Sequence, residues 1–248
     1  MSRFIRKPNL TEGKVSTVIC GTDDEHILSF FKSNGITVLK NDLNPYIDPS
    51  VSAHADMAAL YLGNGQILLD KNQTALKNEL TGLGFNVAET ADKIKGAYPD
   101  DVKLNFTIAG EYVIGKFPSA DIRLPELIGD KSCINVKQGY CKCSTLVVNE
   151  NAIITDDSSI QRKTLENGID SLLVSKGDIS LDGHSYGFIG GASGKIAADT
   201  VVFFGDITEH RDFEAIRSFL SEHGCSFVCT DGLKLRDIGG ILPIKEII

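Results

Sequence analysis

A chain of 248 residues, 42% hydrophobic and 23% charged, is long enough to bury a core without disulfide or metal staples. Its formal charge of −8 argues against a nucleic-acid-binding or anionic-membrane-binding surface. The N-terminal MSRFIRKPNLTEG lacks an apolar signal core, and no apolar run approaches about 18 residues, so a cytoplasmic location off the membrane is expected. In that compartment the cysteines at 20, 133, 141, 143, 225 and 229 are read as free thiols. No CxxC pair occurs, and neither a metal site nor a cofactor is expected.

In chain order, KVSTVICG reads as a strand running into the amphipathic helix of EHILSFFKSNGITVL. Ile27, Leu28, Phe30 and Phe31 form its apolar stripe, and Gly35 is its left-handed stop before a short strand. His54 and Asp56 follow, two residues apart, so that both would point to one face of a strand. That strand opens the hairpin of ADMAALYL, a Gly-Asn-Gly turn and QILLD. TALKNELTGLGFNVA repeats the helix–glycine–strand plan with its stop at Gly84, and Asn105 opens the hairpin NFTIAGEYVIG. LPELIGDKSCINV is a shortened copy, its helix limited by Pro125 and Gly129. KQGYCKCST carries Cys141 and Cys143 into the hairpin CSTLVV–Asn-Glu-Asn–AIITD, after which IQRKTLENGIDSLLV stops at Gly168. His184, Gly190 and Gly191 precede the hairpin GFIGGASGKIA and DTVVFFGD, and FEAIRSFLSEHGCSFV stops at Gly224. Arg236 and Asp237 then open LRDIGGILPI.

These repeats predict an α/β fold of five strand–hairpin–helix units, a pseudo-symmetric propeller forming one domain over residues 1–248. The half-units at the two ends are expected to pair, Lys14–Cys20 against Asp237–Ile244, and so close the ring. GGASGK has one residue too few before Gly194-Lys195 for a nucleotide loop, and its glycines are read as allowing close backbone approach. In a ring, the polar residues that open each hairpin converge on the axis: His54, Asp56, Asn105, Cys143, Gly190, Gly191 and Asp237, with His184 beside them. A thiol, an imidazole and two carboxylates at one point form the inventory of nucleophilic thiolate chemistry.

The plan and its motifs resemble the pentein superfamily of guanidino-group-modifying enzymes, which includes arginine and agmatine deiminases, dimethylargininases and amidinotransferases. His54-Ala55-Asp56 resembles its His-x-Asp motif, Cys143-Ser144-Thr145 its Cys-x-Thr motif, and Asp237-Ile238-Gly239-Gly240 its acidic-x-Gly motif. The resemblance implies Cys143 as nucleophile and His54 as general acid and base. It implies that Asp56 and Asp237 hold the substrate guanidinium. The cyclic order Asp237, His54, Cys143 matches the family's, with the chain circularly permuted relative to the deiminases.

The chain departs from that pattern in places. The substrate-holding aspartate usual one unit before the acidic motif is missing from GFIGGASGK. Asp237 stands where glutamate is commoner, and Gly240 where a second acid often sits.

The expected function is a thiol-dependent hydrolase or transferase of a small cationic guanidine or amidine, in which Asn105, Gly190, Gly191 and His184 help to bind substrate. The alternative is a non-catalytic binding module on the same fold, and metal binding by Cys141, Cys143 and His54 ranks behind both. A nearby imidazolium is expected to lower the Cys143 pKa and make it the most reactive thiol. A homodimer is compatible with the sequence, which leaves the oligomeric state open.

Overall fold

The computed structural model describes residues 2–230 and 232–248. Four helices form on the apolar stripes: Glu25–Ser33, Thr74–Gly82, Ser158–Glu166 and Phe213–Glu222. Asp24 caps the first, accepting from the His26 and Ile27 amides, and Asp157 caps the third through Ser159 and Ile160. Their inward faces bury Ile27 and Phe31, Leu76 and Leu80, Ile160, and Ile216 with Leu220. Gly35, Gly84, Gly168 and Gly224 all take positive φ, between +70° and +86°, which ends each helix at little steric cost. The shortened copy is a single turn, Leu124–Leu127, and Gly129 follows it at φ +59°.

These four helices and the Leu124–Leu127 turn each connect two parallel neighbours of a strand triplet whose remaining strand is antiparallel; three triplets are separate three-stranded sheets, and the other two join in one seven-stranded sheet. Ala59–Gly63, Gln66–Leu69 and Asn86–Glu89 form one such sheet, and Thr107–Ala109, Tyr112–Gly115 and Ser132–Asn135 the next. Thr145–Asn149, Ala152–Thr155 and Asp170–Leu173 repeat the pattern, as do Ser193–Ala197, Thr200–Phe203 and Ser226–Cys229. The last triplet draws on both ends of the chain. Leu242–Ile247 runs antiparallel to Lys14–Ile19, which runs parallel to Thr37–Leu39. Ser2–Phe4 adds to the other edge of Leu242–Ile247, and one bridge, Ala197 to Lys14, joins this triplet to its neighbour. Val18, Phe31, Leu69, Phe204 and Ile244 share one core cluster, so side chains from several triplets interdigitate.

Two expectations about local structure are corrected. Pairing between the chain ends runs from Ile19–Leu242 to Lys14–Ile247, so Asp237–Ile241 is loop and not strand. Gly239 and Gly240, at φ +76° and +60°, turn the chain out of any extended path and leave Asp237 at the mouth of the sheet. His54 and Asp56 are likewise not on a strand. Ala55–Ala58 make one helical turn with His54 at its N-cap, and the strand begins at Ala59. Every residue from 54 to 61 is buried, so no solvent face exists to favour the alternation that an extended reading assumed.

Candidate functional site

Cys143 lies in the tight turn just before Thr145–Asn149, and buried Asn105 holds that turn from behind. Asn105 Oδ1 accepts from the backbone amides of Lys142 (2.7 Å) and Cys143 (3.3 Å), while its Nδ2 is 3.2 Å from Cys143 Sγ. The thiol donates to Asp56 Oδ2 at 2.9 Å. Ligand atoms of His54, Asp56 and Cys143 all lie within 4.8 Å of one another. Asp237 completes the group: its Oδ1 is 3.9 Å from His54 Nδ1 and accepts from the Gly239 amide, while its Oδ2 accepts from the Phe188 amide.

The glycines around this group are steric requirements. A Cβ on Gly191 would stand 1.9 Å from Asp237 Oδ1, one on Gly190 2.3 Å from the Lys142 carbonyl, and one on Gly239 2.3 Å from His54 Cβ. Gly191 also ties the elements together, donating to the Cys143 carbonyl and accepting from the Ile238 and Gly240 amides.

His54, Cys143 and Asp237 line a cavity of about 190 Å³ together with Tyr140, Phe188 and, at 44% side-chain exposure, His184. Four of the anticipated residues therefore reach its wall. Asp56 lies beneath the thiol, and Asn105, Gly190 and Gly191 support the site from outside the lining. Cys141 is fully buried and does not line the cavity. A second cavity of similar size shares His54, Leu181 and Asp237 with the first and contains Arg236, whose guanidinium is occupied by Asp24 at 2.9 Å.

Burial raises the Asp56 carboxyl from 3.8 to about 6; His54 and Lys142 oppose this and Asp237 adds to it. Burial, and then the charges of Asp56 and Asp237, push the Cys143 thiol well above 9. The expectation of a lowered thiol pKa is thus overturned, because burial disfavours the thiolate and the charges of Asp56 and Asp237 add to that. Among the described residues, His54 Nδ1 and Asp56 Oδ1 are buried without hydrogen-bond partners. A nitrogen, an oxygen and a sulfur donor at this spacing could also hold a borderline-soft ion such as Zn²⁺, but the set omits Cys141.

Two buried charged side chains nearby escaped the sequence reading. Lys142 is 5% exposed and offsets part of the negative field at Asp56. Asp156 accepts from the Ile189 amide, anchoring the loop that carries Gly190, and burial lifts its carboxyl to about 7. A signal for it existed: Asp156-Asp157 offers one carboxylate more than the N-cap at Asp157 uses.

This fold is shared with solved structures of guanidino-group-modifying enzymes. SxtG, an amidinotransferase from Microseira wollei in the saxitoxin biosynthetic pathway, superposes with a TM-score of 0.62 at 9% identity over 97% of both chains. The inosamine-phosphate amidinotransferase StrB1 from Streptomyces griseus gives 0.61 at 13% identity, over 98% of this chain and 97% of that one. DDAH from Pseudomonas aeruginosa, complexed with citrulline, gives 0.58 at 10% identity, over 94% and 99%. All three are pentein enzymes, and the fold of this chain is the pentein fold. No curated protein sequence matches the chain. No helix among the described residues is long and apolar enough to cross a membrane. A family model matches residues 18–242, and the chain belongs to that family, DUF6873, a family of unknown function.

Proposed function

We propose that this protein is a thiol-dependent hydrolase or transferase of small guanidine- or amidine-like cations, with Cys143, His54 and Asp237 as its catalytic residues and Asp56 holding substrate. The observation that carries this reading is buried anionic capacity that Lys142 offsets only in part. Asp56 and Asp237 flank the Cys143 thiol, and buried polar atoms of Asp56 and His54 stand unpartnered beside it. A planar cation with several N–H donors would satisfy those atoms through charge-assisted, bidentate hydrogen bonds. Its charge would also offset the field that keeps the thiol protonated. In this reading the five sheet triplets stand around one axis as a single domain, with the site at its centre.

The proposed chemistry follows from the positions. His54 takes the thiol proton, and the Cys143 thiolate attacks the central carbon of the guanidinium. His54 then returns a proton to the departing amine, leaving an amidino group on sulfur. Water, or a second amine, adds to that carbon as His54 removes its proton, and breaking the C–S bond restores the thiol. The turn fixed by Asn105 presents the sulfur, and Asp237 orients the imidazole.

The test is a panel of arginine, agmatine, methylated arginines and small amidines, scored for ammonia, amine or ureido product with and without an amine acceptor. His54→Ala should lower turnover by about a hundredfold or more. Cys143→Ala should abolish turnover and retain binding. Because Asp56 must be ionised to pair with the cation, kcat/KM should fall on the acid side with an apparent pKa near the Asp56 value of about 6. Binding without turnover in the wild type would instead identify the non-catalytic module, and absence of both would remove the guanidine reading altogether.

A further inference from the structure

The Cys143 cavity has a neighbour across Asp48 and Tyr140. This more open cavity, of about 440 Å³, is lined further by Tyr98 and Asp101. Asp101 is only 2% exposed, and the Tyr140 hydroxyl donates to its Oδ2 at 2.7 Å. Its Oδ1 is buried with no hydrogen-bond partner among the described residues. Such a carboxylate oxygen is costly to leave unpaired. Asp48, half-exposed, is bound through Oδ1 by the Ser50 amide and hydroxyl, while its Oδ2 has His184 Nε2 at 3.7 Å.

Among the described residues no lysine or arginine lines either cavity, and the cation nearest the outer wall, Lys116, donates to the Tyr98 hydroxyl at 2.9 Å. The cations beside the aromatic walls, Lys116 over Tyr98 and Lys176 over Tyr186 and Phe188, are outside both linings. Tyr98, Tyr140 and Phe188 make a continuous aromatic run, with ring centroids 5.6 Å and 6.1 Å apart, from the outer cavity to the thiol. Ring faces attract cations and offer nothing to a carboxylate.

We infer that the outer cavity is a subsite for a second cationic group, so that the preferred substrates are guanidines whose tails end in an ammonium or similar cation, and not α-amino acids. This inference rests on the guanidine reading of the Cys143 pocket. An ammonium at the end of a flexible apolar linker would meet Asp101 Oδ1 and Asp48 and pass its linker along the aromatic run. An α-carboxylate in the same place would face two aspartates without a cation in either lining, a like-charge arrangement that selects against it. Burial, Asp100 and Asp48 together raise the Asp101 carboxyl above its ordinary range, which a bound cation would reverse.

The experiment is calorimetric titration of the full-length Cys143→Ala protein with agmatine, arginine and n-butylguanidine, which share the guanidine head and differ in the charge of the tail. Agmatine should bind about tenfold more tightly than butylguanidine, the effect of one charge-assisted hydrogen bond in a partly desolvated site, and arginine no more tightly than butylguanidine. Asp101→Asn and Asp48→Asn should each erase most of that advantage and leave butylguanidine within about twofold. Asp48 is half-exposed, so its variant retains the fold even if the buried Asp101 variant does not. Equal binding of agmatine and butylguanidine, or arginine binding as tightly as agmatine, overturns the subsite while leaving the guanidine pocket standing. If none of the three binds to the folded protein, the pocket reading fails and the subsite with it.

Discussion

Asp56 carries a charge that its surroundings oppose. Its carboxyl titrates at about 6 in the folded protein, against 3.8 ordinarily. The folded state therefore holds more protons than the unfolded chain between those values. This group's contribution to stability is full below about pH 4 and is lost as pH rises through about 6, at a cost on the order of 3 kcal/mol. Asp56→Asn should raise the urea midpoint of the unliganded protein at about pH 8 and leave it nearly unchanged at about pH 4. Equal midpoints at both pH values would show that the charge is not strained. Cys143 makes a related prediction. With its thiol held protonated, neutral iodoacetamide at neutral pH should label exposed Cys133 faster, whereas a cationic haloacetamidine should reverse that preference by docking at Asp56 and Asp237. Peptide mapping after limited labelling decides between the two orders, and fastest labelling of Cys143 by iodoacetamide contradicts the electrostatic account.

Glycines do two separable jobs at the level of the elements. Gly35 ends a helix at φ +70° with open space where a Cβ would go, so Gly35→Ala should cost roughly 1 kcal/mol and leave activity intact. Gly191 instead holds the loop against Asp237. A Cβ there meets the carboxylate at 1.9 Å, and Gly191→Ala should displace Asp237 from His54 and abolish activity even in molecules that fold. Paired melting curves and turnover assays would separate these outcomes. The stop glycines were legible in the sequence because a helix end is a local event, marked by an apolar stripe that breaks off before a residue tolerant of positive φ. The helical turn at Ala55–Ala58 was not. Its conformation depends on burial from all sides, which no alternation of residues records.

At the scale of the molecule, the chain ends are stitched by Leu242–Ile247, which pairs on both edges. Glu246 within it is fully buried; its carboxylate accepts from Thr11 and from the Glu12 and Gly13 amides, and pairs with Arg3. Burial alone would raise its pKa, but those bonds outweigh it and hold the group below 4.5. Its stabilising effect is thus present above about 4.5 and fades as pH falls through the lower folded value. Glu246→Gln should destabilise the protein by roughly 1–3 kcal/mol near neutrality, with the gap narrowing in acid, as denaturant titrations would report. Deleting residues 242–248 should prevent folding, because the Lys14–Ile19 edge would lose its antiparallel partner. A deletion variant with an unchanged thermal midpoint would remove the role assigned to this strand.

The sequence by itself determined the features that depend on spacing along the chain. These are the repeated helix–glycine–strand plan, the shortened copy at Leu124–Leu127, the pairing of the two ends, and the motifs carrying Cys143, His54 and Asp237. Tertiary structure alone decided the condition of those residues. It placed Asp237 in a glycine turn beside His54, buried the Cys143 thiol in the field of two carboxylates, and brought Lys142 and Asp156 inside. The physical reason is that hydrophobic period and backbone tolerance are read from near neighbours in sequence. Desolvation and Coulomb energy are set by neighbours in space, and at this site those neighbours come from four different sheets.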